Sequence, residues 1–264
     1  MRKSIFDLEF RIDIDHEFGT IKSILGIENS IVYNGTFYSL HDLLNDEIFP
    51  IWKYKGISVS FDDFCDRLNI NFSSSHCTEE KFLFLLELLY NLWMITELKL
   101  DPDHEHLCNK KVIGYMRINL PLIIEKMNYQ ILDEKDKFRL VKRDADVDSI
   151  LEIVPRDKAI LLLDYNDIRN NNIKSKAYIL KQLDLFIEEN KKEYSSIDED
   201  TYNSIQYIVN NMGINHPIKK EPFKSYVDEE LIKWYDKCFK LIIHIIRKKE
   251  VNDINKDRKS FDNN

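Results

Sequence analysis

The chain has 264 residues, 44% of them hydrophobic and 32% charged, and its formal net charge is −8. This composition excludes a disordered protein, and the length is sufficient for one large domain or two small ones. The acidic balance argues against a broad nucleic-acid surface, because phosphate binding requires clustered cations.

The first segment alternates apolar and polar residues and does not resemble a signal sequence. Acids interrupt residues 1–15 where a secretory signal would be apolar, and no apolar run approaches the ~18 residues that span a bilayer. We therefore expect a cytoplasmic protein with no membrane partner. The alternation of Phe10, Ile12 and Ile14 predicts a half-buried strand.

Turn and helix-start signals follow in the N-terminal part. Asn34-Gly35 lies between two β-prone runs and predicts a hairpin. Ser39 and Ser60 are each followed three residues later by an aspartate, a pattern that satisfies the free N–H groups at a helix start. Thr78, followed by two glutamates, begins a longer helix whose apolar residues recur on one face.

The boundary between two parts of the chain lies where mixed helix and strand signals give way to helix signals alone. An apolar helical run at 112–127 precedes two short strands, Tyr129 to Leu132 and Phe138 to Val141, around a charged turn. Helix then follows helix, so the predicted fold class is mainly α, with a small N-terminal α+β part that carries short hairpins and a C-terminal antiparallel helical bundle. The predicted parts are an α+β sensing or interaction part at 1–144, a bundle at 145–250 and a frayed tail at 251–264.

Four periodic segments build the predicted bundle. Pro155 fits the first turn of one helix, and a second helix follows at Ile173. Ser196 and Glu199 form a capping pair for the third, and the last helix begins near Asp228. The segment "WYDKCF" on this last helix indicates core packing rather than a base-stacking platform.

The sequence lacks the common motifs of nucleotide binding and hydrolysis. It contains no GxxxxGK[ST] loop, no GxGxxG, no HExxH and no GxSxG. In "DPDHEHLC", zinc ligands of the right type are present at His104, His106 and Cys108, with His76 or Cys77 as further candidates. Their spacing is not diagnostic and a solvated polar loop is the alternative, so we expect no metal and no other cofactor.

The segment "YIVNNMGINHP" ends an apolar helical run and allows two interpretations. As a helix stop, Gly213 adopts the left-handed conformation, Asn215 and His216 form a turn, and Pro217 prevents continuation. As a site, the helix end holds His216 rigidly and exposed, where a neutral imidazole exchanges protons with an RNA 2′-hydroxyl.

The run from "ILLLDYNDIRNNNIK" to "YIVNNMGINHP", with long helices, paired asparagines and a final histidine, resembles the HEPN-like bundles of bacterial abortive-infection and toxin proteins. Such families are all-helical, and many are metal-independent ribonucleases that pair an Arg-x(4 to 6)-His motif from each subunit of a dimer. The resemblance implies that His216 is the family histidine and that the chain forms a homodimer.

The family arginine is absent from this chain. Asn211 and Asn210 stand five and six residues before His216, and Asn215 stands where related abortive-infection sequences tend to carry arginine. Asparagine donates hydrogen bonds but lacks the permanent charge with which arginine stabilises a phosphorane-like transition state.

The leading hypothesis is a prokaryotic antiphage defence protein of the abortive-infection type that cleaves RNA without a metal. In it, His216 is the general acid/base, Asn211 and Asn215 position the scissile phosphate, and the RNA-binding residues are Lys219 and Lys220. The alternative is a non-catalytic module that uses the same bundle to dimerise or to bind a phage or toxin protein. The acidic balance favours this alternative, because a protein partner needs no basic groove.

Overall fold

A computed structural model describes residues 12–218 and 223–262, and these ranges are mainly helical. Two hairpins of two strands each are the only sheets within them. The predicted mainly α fold class is confirmed. The chain divides into two compact units, Met1–Leu140 and Val141–Asn264, so the division lies a few residues before the predicted boundary near 145.

Shorter helices and two hairpins accompany one long helix in the first unit. Its elements are α1 (Ile14–Leu25), β1 (Ile31–Tyr33), β2 (Thr36–Tyr38), α2 (Leu40–Leu43), α3 (Phe61–Arg67), α4 (Glu79–Lys99), α5 (Lys110–Gly114), α6 (Leu120–Lys126), β3 (Tyr129–Asp133) and β4 (Phe138–Lys142), which crosses the division. A π-helical segment, Tyr115–Asn119, joins α5 to α6. The apolar face predicted for α4 is buried: Phe82, Leu85, Leu86, Leu89, Leu92 and Trp93.

The hairpin turn and the helix caps predicted in this unit are confirmed. Asn34 and Gly35 have φ angles of 50° and 76°, the left-handed pair that a two-residue hairpin loop requires. The hydroxyl oxygens of Ser39 and Ser60 each accept a hydrogen bond from the backbone N–H three residues later. Thr78 caps α4 in the same way. These contacts form within one turn of chain, so the sequence alone specifies them.

The strand predicted at Phe10, Ile12 and Ile14 is wrong in its described part. Ile14 begins helix α1, and the side chain of Asp13 caps that helix. Phe10 lies outside the described residues. A longer helical pattern outweighs the short alternation, because the buried residues of α1 are Phe18, Ile21, Ile24 and Leu25.

In the described residues of the second unit, the regular elements are helices and the end of β4. Its elements are α7 (Ala145–Asp148), α8 (Arg156–Tyr165), α9 (Ile173–Glu189), α10 (Lys191–Ile197), α11 (Glu199–Asn211) and α12 (Asp228–Asp262). Helices α11 and α12 run antiparallel, because the start of α11 contacts Lys248 through Asp198 and its end contacts Tyr235 through Met212. Helices α9 and α11 are also antiparallel. The predicted bundle therefore corresponds to α8, α9, α11 and α12, with α10 added.

The cap predicted for the third bundle helix is wrong. Ser196 lies inside α10, where its hydroxyl donates to the carbonyl of Glu193. Asp198 caps α11 instead, and its Oδ1 accepts a hydrogen bond from the N–H of Thr201 at 2.9 Å. The reason is that α10 continues until the residue before Asp198, which leaves no free helix start for Ser196 to cap.

The C-terminal tail differs from the frayed segment predicted at 251–264. Helix α12 continues to Asp262, and ion pairs of Asp253 with Lys249 and Lys256 span single turns of it. Such pairs stabilise an exposed helix. No helix in the described part of the chain is both long and apolar enough to cross a membrane.

Candidate functional site

The turn after α11 carries the predicted histidine and is anchored to two helices. Gly213 has a φ of 86°, the left-handed conformation that ends a helix. The N–H of Asn215 donates to the carbonyl of Val209 at 3.1 Å, which folds the turn back onto α11. The buried hydroxyl of Tyr235 on α12 donates to the carbonyl of Met212 at 2.9 Å. The predicted helix stop is confirmed.

The side chain of Asn215, in this turn, donates a hydrogen bond to a buried carboxylate. Asp184 on α9 is 1% exposed, and its two oxygens accept hydrogen bonds from Asn215 Nδ2 at 3.0 Å and Gln206 Nε2 at 2.7 Å. Burial raises the pKa of Asp184, and the two amide hydrogen bonds oppose that rise. The turn is therefore tied to the core of the bundle through an ionisable group that no sequence motif indicated.

The structure places Asn211, Asn215 and His216 at the same end of α11 but directs their side chains differently. His216 is exposed. The Nδ2 of Asn211 donates to the carbonyl of Tyr207 at 2.7 Å, one turn back along the helix. The amide of Asn215 points inward, to Asp184. Each amide nitrogen carries two N–H groups, so each of these bonds uses one of the two donors.

The predicted RNA-binding residues Lys219 and Lys220 lie outside the described residues. The described portion of the site thus consists of one exposed imidazole and two asparagine amides on an anchored turn.

The candidate zinc ligands of the first unit take separate partners. His104 Nδ1 pairs with Asp101 at 2.7 Å, and His76 Nδ1 pairs with Asp15 at the same distance. Cys108 is buried, and its sulfur accepts a backbone hydrogen bond from β1. In the part of the chain that the structure describes, no three His, Cys, Asp or Glu side chains converge as a metal site.

A groove with a volume of about 830 Å³ lies between α11 and α12. We call it the α11–α12 groove; its apolar side chains are Tyr207, Ile208, Trp234 and Leu241. Lys237 and Lys240 also line it, and both are exposed. The Nζ of Lys237 lies 4.2 Å from the centroid of the Trp234 ring, a distance at which the cation is attracted to the aromatic face.

The sequence pattern did not indicate this groove, because the whole segment "WYDKCF" is typical of core packing. Tyr235, Cys238 and Phe239 are indeed buried, but Trp234 lies in the groove. The available signal was the lysine at 237, three residues after Trp234, since these two positions share one helix face.

A comparison of the chain with family models, curated proteins and solved structures found no match.

Proposed function

We propose that this chain is a prokaryotic antiphage defence protein of the abortive-infection type, which acts in the cytoplasm and cleaves RNA without a metal. The single observation that supports cleavage is the placement of His216: an exposed imidazole on a turn anchored to α9, α11 and α12. A general acid/base must reach solvent-borne substrate while its backbone stays fixed, and this turn meets both conditions.

In the proposed reaction, His216 takes the proton of an RNA 2′-hydroxyl as that oxygen attacks the adjacent phosphorus. A bond forms between the 2′-oxygen and phosphorus, the bond to the 5′-oxygen breaks, and a solvent water molecule gives a proton to that leaving oxygen. Asn211 and Asn215 each position the phosphate through the second N–H group of the side-chain amide, because the first already donates within the protein. Lys219 and Lys220 supply the positive charge that the missing arginine would carry.

The test uses purified protein and a labelled single-stranded RNA in buffer with EDTA. We expect cleavage by the wild type, a loss of at least about 100-fold in His216→Ala, and no loss in the control His106→Ala. His106 is an exposed histidine of the first unit, so its removal matches the change in composition without touching the turn. Cleavage that persists in His216→Ala, or RNA that stays intact with the wild type, would overturn the proposal.

A second candidate function is a non-catalytic module that dimerises or binds a phage or toxin protein. It is favoured by a specific observation: Asn215 directs its amide to the buried Asp184, and neither Asn210 nor Asn211 is the family arginine. Intact RNA, together with salt-insensitive binding of a protein or of a second copy, would support this function over cleavage. Light scattering after size exclusion measures the proposed homodimer directly.

A further inference from the structure

We propose that the α11–α12 groove binds an acidic amphipathic helix of a partner protein. The inference is independent of RNA cleavage, because it rests on the groove and uses neither His216 nor the turn. Its elements are the apolar floor, the two helical walls and the lysines beside them.

The shape of the groove fits a helix. Its walls are antiparallel helices, and on α11 the lining extends from Asp200 to Ile208, which is about 12 Å at 1.5 Å per residue. Roughly two turns of a docked helix span that length and place apolar residues at i, i+3, i+4 and i+7. Tyr207, 48% exposed, and Trp234 offer the aromatic contacts that commonly dominate such interfaces.

The charge beside the groove selects an acidic partner. Lys237 and Lys240 lie on the α12 side next to the apolar residues, and both side chains are exposed. Acidic residues flanking the apolar face of a docked helix would pair with them and steer association, even though the chain as a whole carries a charge of −8. The effect is local, since charges beyond about 8 Å are largely screened at physiological ionic strength.

Two features favour a protein over single-stranded nucleic acid at this groove. Lys237 lies over one face of Trp234, so a base that stacks on that face must first displace the lysine. Asp200 also lines the groove, on the α11 side, so the acids of a docked helix must lie toward the two lysines on α12; an RNA track would need a longer run of cations than these two.

The probe is a phage-displayed library of helical peptides of about 14 residues, or four turns. It is selected on the full-length wild type and counter-selected on Tyr207→Ala. We expect enriched peptides with one apolar face flanked by Asp and Glu. In fluorescence anisotropy, the Lys237→Glu/Lys240→Glu double variant should bind an enriched peptide at least about tenfold more weakly.

Matched controls separate the groove from general effects. Tyr178→Ala removes a tyrosine that is 63% exposed on α9, and Lys181→Glu reverses an exposed lysine of α9 outside the groove lining; both should bind like the wild type. Circular dichroism confirms that each variant is folded.

Several outcomes would overturn the proposal. One is a selection without enrichment, or enrichment of basic peptides; another is binding that the double charge reversal leaves unchanged. Displacement of the peptide by single-stranded RNA at lower concentration than by unlabelled peptide would assign the groove to nucleic acid. A dimer that dissociates in Tyr207→Ala would assign it to a second copy of the chain.

Discussion

Asp198 and Asp184 hold opposite ends of helix α11, and their pKa values shift in opposite directions. Asp198 caps the start of the helix: its carboxylate accepts hydrogen bonds from the N–H and the hydroxyl of Thr201 and pairs with Lys248. The hydrogen bond from the Lys248 ammonium is the largest cause that lowers the pKa of Asp198 below its ordinary value of 3.8, and the bonds from Thr201 add to it.

At the other end, the described donors to Asp184 are neutral. The amides of Gln206 and Asn215 satisfy its oxygens, but burial outweighs them and raises its pKa above 3.8. The comparison shows that hydrogen bonds alone do not decide the charge state of a carboxylate. A cation beside the half-buried Asp198 favours its charged form, whereas neutral amides around the buried Asp184 leave its desolvation cost in place.

These opposite shifts predict opposite pH dependences for the two ends of α11. For Asp198 the folded pKa is depressed, so its stabilisation is present above about pH 3.8 and is lost as the pH falls through the folded pKa. For Asp184 the folded pKa is raised, so the folded state is favoured most below about pH 3.8 and loses stability as the pH rises through the folded pKa.

The largest expected effect on the free energy of unfolding is that of a substitution at Asp198, which caps the start of α11. Asp198→Ala removes the helix cap and the partner of Lys248, so we expect the free energy of unfolding near neutral pH to fall by about 2 kcal/mol. Denaturant unfolding followed by circular dichroism measures the loss, which should shrink in acid because Asp198 is then protonated in the wild type. Asp200→Ala, which removes an exposed acid two residues further on in the first turn of the same helix, is the control. An equal loss in both variants would contradict the capping role.

The next effect tests the turn that Asp184 holds. In Gly213→Ala, a side chain must adopt a φ of 86°, and its Cβ would lie 3.2 Å from Cγ1 of Ile218. We expect a loss of about 1–2 kcal/mol in the free energy of unfolding, measured in the same way. Gly19→Ala is the matched control, because it lies inside α1 with open space around its Cβ. That control should raise the stability by up to about 1 kcal/mol, and a loss there would undermine the comparison.

The smallest expected effect on the free energy of unfolding is that of a substitution at Asp184. In Asp184→Asn, relief of a buried charge and loss of an amide hydrogen bond oppose each other, so we expect a change below about 1 kcal/mol near neutral pH. The informative quantity is the slope of stability against pH between about pH 4 and pH 7. Asp184→Asn should remove the part of the decline that Asp184 contributes, whereas Asp198→Ala should retain it. An unchanged slope in Asp184→Asn would show that burial does not control this carboxylate.

The turns and the confirmed helix starts could be predicted from the sequence because each depends on neighbouring residues. Asn34-Gly35 suits a hairpin loop by its own backbone preference, and Ser39 finds its N–H partner three residues away. The same reasoning located the helix stop at Gly213. It failed at Ser196, because a neighbouring helix had already enclosed that residue.

Local sequence signals suffice to predict the helical character of the chain, its division near the second hairpin and the turn that carries His216. The contact of Asn215 with Asp184, residues 31 positions apart in the chain, and the position of Trp234 in a groove beside Tyr207 depend instead on how the helices pack. The difference lies in the range of the interactions. Backbone preferences and caps act within one turn, whereas the burial that shifts a pKa or shapes a groove depends on which helices pack together.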